Sequence, residues 1–264
     1  MNRIQKKFTS LRTSGQKALI PYITPEYPFK GITLGLLRAL EEAEADLIEV
    51  GIPFSDPLAD GETIQHSSEV ALKNGATVDR ILLSVSEFRN SSELPILLMG
   101  YVNPILRIGI EKFMESCKSA GVDGLIIPDL PPEEASVITS VSRKHGISNV
   151  FLIAPTTSDS RIKEIDGHST DFSYCVSVTG VTGARSQFGA GGGLDEFFMR
   201  VRKNTQKPFV VGFGISKQEH VQRVWEYADG AVVGSSLINV LGKATSEEEA
   251  LRAAVDFLRS LRPS

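Results

Sequence analysis

Cysteine is nearly absent from the 264-residue chain. Cys117 and Cys175 are the only two, they fall in different expected elements, and their spacing fits neither a zinc site nor a redox motif. Two reduced thiols are expected, with no disulfide framework. Histidine is as sparse: His66, His145, His168 and His220 stand among polar neighbours without a second ligand at a metal-binding interval, which points to surface imidazoles and no metal site. No run of about 18 consecutive apolar residues occurs, so no membrane span is expected. The amino-terminal MNRIQKKFTSLRTSG also lacks the apolar centre of a secretory signal. An excess of positive charge is missing too. With 28 basic against 32 acidic residues the formal net charge is −4, which gives no pull toward nucleic acid or an anionic membrane. The expectation is a cytoplasmic protein that acts on small molecules or protein partners.

Short, β-branched apolar runs bounded by Gly, Pro or Asp are plentiful, with helical patterns between them. They cover Lys17 to Thr24, Asp46 to Val50, Pro95 to Tyr101, Val122 to Ile127, Asn149 to Ala154, Asp171 to Ser177, Pro208 to Phe213 and Gly230 to Gly234. Leu34, Leu37, Arg38 and Glu41, like Val221, Val224 and Trp225, repeat with helical spacing. Pro131 and Pro132 ahead of Glu133 and Glu134 suit a first helical turn. Eight such β/α repeats, without a linker, predict a single TIM barrel, (β/α)8, over residues 1–264. An extra amino-terminal helix and additional helices in the loops after strands two and eight complete the expectation. The stretch Phe54 to Asn90 has room for two helices, and Thr179 to Gly193 is rich in glycine. In such barrels chemistry sits on the loops after the carboxyl ends of the strands.

The second run reads Asp46-Leu47-Ile48-Glu49-Val50-Gly51, and strand alternation puts Leu47, Glu49 and Gly51 on the inner face. A carboxylate among apolar strand residues should have its pKa raised by desolvation. Glu49 is therefore a candidate functional acid, the alternative being a buried glutamate satisfied by neighbouring hydroxyls. Asp60 follows in the loop Ile52-Pro53-Phe54-Ser55-Asp56-Pro57-Leu58-Ala59-Asp60-Gly61. It could equally cap the next helix, since Asp before Gly-Glu-Thr-Ile is a plausible start.

Leu47-Ile48-Glu49-Val50-Gly51 followed by Pro53-Phe54-Ser55-Asp56-Pro57-Leu58-Ala59-Asp60-Gly61 resembles the signature of the tryptophan synthase α family. The likeness continues through Met99-Gly100-Tyr101-Val102-Asn103-Pro104, Gly124-Leu125-Ile126-Ile127-Pro128-Asp129-Leu130-Pro131, Ala154-Pro155-Thr156-Thr157 and Gly180-Val181-Thr182-Gly183, nearly the whole chain. The resemblance implies a lyase that cleaves indole-3-glycerol phosphate to indole and glyceraldehyde 3-phosphate, with Glu49 and Asp60 as its catalytic acids and bases. It implies an α2β2 assembly in which the β subunit carries pyridoxal phosphate and this chain needs no cofactor. Asp56, Pro57, Asn103 and Pro104 are then the partner contacts. Thr182 would hydrogen-bond Asp60 when the loop after strand six closes over ligand. Gly189-Ala190-Gly191-Gly192-Gly193 is more glycine-rich there than in many relatives, which puts the ordering of that loop in question.

Three glycine turns suggest a phosphate site: Gly180 to Gly183, Gly212-Phe213-Gly214 and Gly234-Ser235-Ser236. They match the barrel phosphate site after strands seven and eight. Lysine and arginine are absent from them, so the N–H groups of Gly183, Gly214 and Gly234, the Ser235 hydroxyl and a helix dipole must hold the anion. Tyr22, Ile64, Met99, Ile126 and Phe213 are candidates for an indole pocket. Tyr174 is a further one with a supporting catalytic role, because a hydroxyl at a strand end needs a partner. Two other phosphosugar barrels compete. An indole-glycerol-phosphate synthase would be expected to show catalytic lysines, and a ribulose-phosphate epimerase metal-binding histidines and acids; neither set appears on these strands. A catalytically silent regulatory subunit is a third reading, against which Glu49 and Asp60 argue.

Overall fold

The computed structural model describes residues 1–176, 193–212 and 214–263. Its strands are β1 (Ala18–Ile23), β2 (Ile48–Gly51), β3 (Ile96–Met99), β4 (Gly124–Ile126), β5 (Ser148–Val150), β6 (Leu152–Ile153), β7 (Ser173–Val176), β8 (Phe209–Gly212) and β9 (Gly230–Val233). All neighbours pair in parallel, in the order β5-β4-β3-β2-β1-β9-β8-β7-β6. β5 and β6, at the two ends of that order, are halves of the single fifth strand expected from the sequence. Only Phe151 separates them, so the sheet returns on itself as an eight-position barrel. At Phe151 the backbone turns from one neighbour to the other: its N–H donates to Ser169 Oγ at 3.2 Å and its carbonyl accepts from Tyr174 N–H at 3.1 Å.

Alternation along the strands divides the apolar residues into two cores. The inner one joins Ala18, Ile20, Leu47, Leu97, Ile126, Val150, Phe172, Tyr174, Val210 and Val232. The other face of the same strands, for example Leu19, Val50, Leu98 and Val211, packs on the surrounding helices. These are α2 (Thr33–Glu42), α3 (Glu62–Lys73), α4 (Val78–Arg89), α5 (Val102–Ile108), α6 (Ile110–Ala120), α7 (Ser136–His145), α8 (Asp159–His168), α9 (Gly193–Asn204), α10 (Gln218–Trp225), α11 (Ser235–Leu241) and α12 (Glu247–Leu261). Paired helices follow β2 and β9 as expected. A pair also follows β3, α5 and α6, where only one helix is expected from the sequence.

The amino-terminal helix α1 (Arg3–Thr13) closes the amino-terminal end of the barrel. A capping box between Asn2 and Gln5 starts it. Ile4, Phe8 and Leu11, one helical stripe, enter the inner core, and the Phe8 ring lies 5.3 Å from that of Phe172. Its polar side reads a ring of aspartates. Asp46, Asp123, Asp171 and Asp229 stand just ahead of β2, β4, β7 and β9, and they bind the starts of β1, β3, β5 and β8 respectively. Asp46 accepts from Leu19 N–H at 2.9 Å, Asp123 from Ile96 N–H at 2.9 Å, Asp229 from Phe209 N–H at 3.0 Å, and Asp171 from the Ser148 hydroxyl. Lys7 pairs with Asp46 at 3.4 Å, Arg3 with Asp123 at 3.2 Å, and Gln5 donates to Asp171 at 2.8 Å. This end of the barrel is thus bound shut, and the opposite end is left for chemistry.

The Arg89–Asp123 pair in this ring is 2.7 Å long, with side chains 9% and 4% exposed. Asp123→Ala should cost roughly 3–5 kcal/mol in urea unfolding, because it strands the buried Arg89 charge. A loss below about 1 kcal/mol would show that the guanidinium bonds to Gly121, Ser92 and Leu94 carbonyls are enough on their own.

Candidate active site

At the carboxyl end of the barrel a cavity of ≈ 150 Å³ opens among inner-face strand residues and loop residues. Tyr22 of β1, Glu49 of β2, Met99 of β3 and Tyr174 of β7 meet there with Asp60 and Ile64 from the segment after β2. Gly212, Gly214, Gly234, Ser235 and Ser236 of the glycine turns complete the lining, together with Ile215 and Val232, which sequence reasoning did not single out.

Glu49 occupies the inner face of β2, in register with Tyr22 on one side and Leu97 on the other. It is fully buried, and neither carboxyl oxygen has a hydrogen-bond partner among the described residues. Among the described residues no hydroxyl stands in hydrogen-bond geometry to satisfy it. Burial pushes its pKa up to about 8. The Tyr174 hydroxyl opposes that shift by favouring the carboxylate, though without hydrogen-bond geometry. At neutral pH Glu49 is chiefly a neutral acid.

Asp60 does not cap α3. Gly61 is the N-cap and no side chain closes that end. Instead Asp60 Oδ2 accepts from the Tyr101 hydroxyl at 3.1 Å. Partial burial raises its pKa to about 6, with the Tyr101 bond working against the rise. Two carboxyl groups of one cavity are thereby held apart in acidity: near neutrality Asp60 is ionised while Glu49 keeps its proton.

Tyr101 is the polar site residue that sequence reasoning passed over. It is the N-cap of α5, it accepts from Ala59 N–H at 2.9 Å, and its ring lies 5.4 Å from that of Phe54. The signal was present in Met99-Gly100-Tyr101, since an aromatic with a polar tip at a strand end needs a partner, the argument applied to Tyr174. Two glycines make room for the other tyrosines. A Cβ on Gly51 would strike the Tyr22 hydroxyl and stand 2.8 Å from its Cζ; on Gly212 it would strike the Tyr174 hydroxyl and stand 2.9 Å from Cε1. Each phenol thus lies across the end of the neighbouring strand. Burial and the nearby carboxylates raise both tyrosine pKa values, so both remain neutral donors.

At the other turns, α11 starts at Ser235 with Gly234 as an N-cap that supplies no side-chain bond, and Ser236 Oγ donates to the Ile215 carbonyl at 2.7 Å. No lysine or arginine lines the cavity among the described residues. Ile126, paired with Met99, is wholly buried in the inner core and is not among the residues that line the cavity. Thr182, Gly183 and Phe213 lie outside the described residues, as does most of the glycine-rich stretch. Asp56 and Asn103 are exposed, and Pro57 and Pro104 partly so. Leu58 beside them is 93% exposed. Both cysteines are buried, and no group of His, Cys, Asp or Glu among the described residues could hold a metal ion. No helix among them is long and apolar enough to cross a membrane.

Residues 8–262 match the family model described as tryptophan synthase alpha chain. The chain is 49% identical over 263 residues to the tryptophan synthase alpha chain of Roseiflexus sp. (strain RS-1), covering 99% of this chain and all of that one. It superposes on tryptophan synthase subunit alpha from Legionella pneumophila with a TM-score of 0.90 at 38% identity, covering 99% of this chain and 97% of that one. A chain from a study of mutual activation in the tryptophan synthase α2β2 complex of Pyrococcus furiosus gives a TM-score of 0.85 at 41% identity, with 92% and 97% covered.

Proposed function

The chain belongs to the tryptophan synthase alpha chain family, and from that premise we propose that it is a carbon–carbon lyase that cleaves indole-3-glycerol phosphate to indole and glyceraldehyde 3-phosphate. The observation that carries this reading is the pair of carboxyl groups in one cavity, Glu49 with a pKa of about 8 and Asp60 of about 6.

The reaction needs an acid and an anion at once. Glu49, protonated at rest, gives its proton to indole carbon 3, and Asp60, ionised, accepts from the ring N–H and stabilises the positive charge that develops there. Glu49, now a carboxylate, takes the proton of the hydroxyl on the adjacent side-chain carbon. That hydroxyl carbon becomes the aldehyde as its bond to carbon 3 breaks, and the bonding pair returns to the ring as indole. Glu49 ends protonated, as it began. Tyr174, a neutral hydroxyl facing Glu49, supports the carboxylate stage. Tyr22, Ile64 and Met99 form the wall for the ring, and the N–H groups of Gly214, Gly234 and Ser235 with the Ser235 hydroxyl receive the phosphate. Gly183 belongs to the phosphate turns, Phe213 to the wall for the ring, and Thr182, by resemblance, is the closing partner of Asp60.

The chain needs no cofactor of its own in this reading. Its partner is a β subunit carrying pyridoxal phosphate, in a cytoplasmic α2β2 assembly, docked on the surface at Asp56, Pro57, Asn103 and Pro104. The Pyrococcus complex supports that assembly. The test is to supply indole-3-glycerol phosphate to the purified chain, alone and with a β subunit, and measure indole and glyceraldehyde 3-phosphate. Equimolar products, formed faster with β, are expected; no indole in either case would overturn the proposal.

A further inference from the structure

We propose that Tyr101 is a positioning residue for Asp60, fastening the loop of residues 54–60 to the start of α5 so that the aspartate follows the surface segment at Asn103 and Pro104. The inference rests on the assignment of Asp60 made above. Its basis is that, among the described residues, the hydrogen bonds and the ring contact between the two segments all run through one side chain. The hydroxyl accepts from Ala59 N–H at 2.9 Å and donates to Asp60 Oδ2 at 3.1 Å, and the ring lies against Phe54. A single phenol therefore grips the loop near its beginning and at its end. Its own position is fixed from the α5 side. Val102 N–H donates to both carboxylate oxygens of Asp129, at 3.0 and 3.3 Å, which ties the first turn of α5 to the segment after β4. Three segments around the cavity mouth, after β2, β3 and β4, thus form one bonded unit with the Tyr101 hydroxyl at its centre.

The electrostatics agree. The groups facing Asp60 are Tyr101 from the start of α5, Tyr22 from β1 and, through Tyr22, Glu49 from β2; Asp129 faces Tyr101 from the other side. Burial and the Asp60 charge raise the Tyr101 pKa, so the phenol stays a donor and favours the ionised aspartate. Removing the hydroxyl raises the Asp60 pKa, and the acidic limb of the pH profile moves up with it.

Tyr101→Phe is the test, because phenylalanine keeps the contact with Phe54 and deletes both hydrogen bonds. The expected result is a fall in kcat of roughly tenfold, with KM for indole-3-glycerol phosphate changed by less than about twofold. The acidic limb should shift upward by about half a pH unit or more. Two readouts do not depend on turnover. Hydrogen exchange at the Ala59 amide should speed up, since its acceptor is gone, and the Asp60 carboxyl followed by carbon-13 NMR should titrate at higher pH than in the parent chain. A parent chain that releases no indole would sink the functional reading while these two still judge the tyrosine. Unchanged Ala59 exchange and an unmoved Asp60 titration in Tyr101→Phe would overturn the inference.

Discussion

Glu49→Gln should stop indole release and at the same time flatten the dependence of stability on pH. The amide keeps the side chain's volume but has no proton to give carbon 3 and cannot take one from the hydroxyl, so a loss of about 100- to 10,000-fold is expected. The stability change follows from the same burial that makes the acid useful. Below its ordinary value of 4.5 the carboxyl is protonated in folded and unfolded chains alike, and its contribution is fully present. As pH rises from there toward the folded value of about 8, the unfolded chain ionises and the folded one does not, so stability drains away. Above that value the loss is complete, and its size is on the order of 5 kcal/mol. Glutamine never ionises. Denaturant unfolding at pH 5 and at pH 8.5 should therefore show the variant gaining several kcal/mol on the parent between the two conditions. Whatever fixed cost the buried amide adds is present at both and cancels. A gap between variant and parent that is the same at both pH values would mean that Glu49 is not desolvated.

The sequence already contained the reason for Glu49, because a strand has a period of two and Leu47, Glu49 and Gly51 can only share a face. It carried the strand positions for the same reason, each β-branched run being bounded by glycine, proline or aspartate. What a period cannot show is depth. Ile126 and Met99 both face inward from paired positions on β4 and β3, yet Met99 reaches the cavity and Ile126 stays in the core. Nor can it show which neighbour a strand turns toward, so the break at Phe151, where the pairing passes from β4 to β7, leaves no mark in the apolar run Asn149 to Ala154. Asp60 looked equally like a helix cap because local spacing is all that a cap requires. Its real partner, Tyr101, stands 41 positions away and is brought in by the closing of the barrel. The aspartate ring at the other end was legible only as a habit of Asp before strands; its acceptor roles exist once adjacent strands are side by side.

Asp60→Asn should also lose at least about 100-fold in turnover, and the rate that remains should have a different pH profile. In the parent chain, cleavage needs Asp60 ionised and Glu49 protonated. Activity should rise through the Asp60 value of about 6, fall through the Glu49 value of about 8, and peak between them. Because the two groups share a cavity, those limbs belong to the pair and move together when either is changed. Asparagine offers the indole N–H a carbonyl acceptor, so substrate should still bind, but it brings no charge to offset the cation that forms after carbon 3 is protonated. KM should therefore change less than kcat. The acidic limb should vanish, since the group that titrates there is gone. The alkaline limb should persist and shift slightly downward, since losing a neighbouring negative charge makes Glu49 easier to ionise. Steady-state rates across pH 5 to 9 on parent and variant read both limbs. An acidic limb still standing near pH 6 in Asp60→Asn would assign it to another group and remove the aspartate from the chemistry.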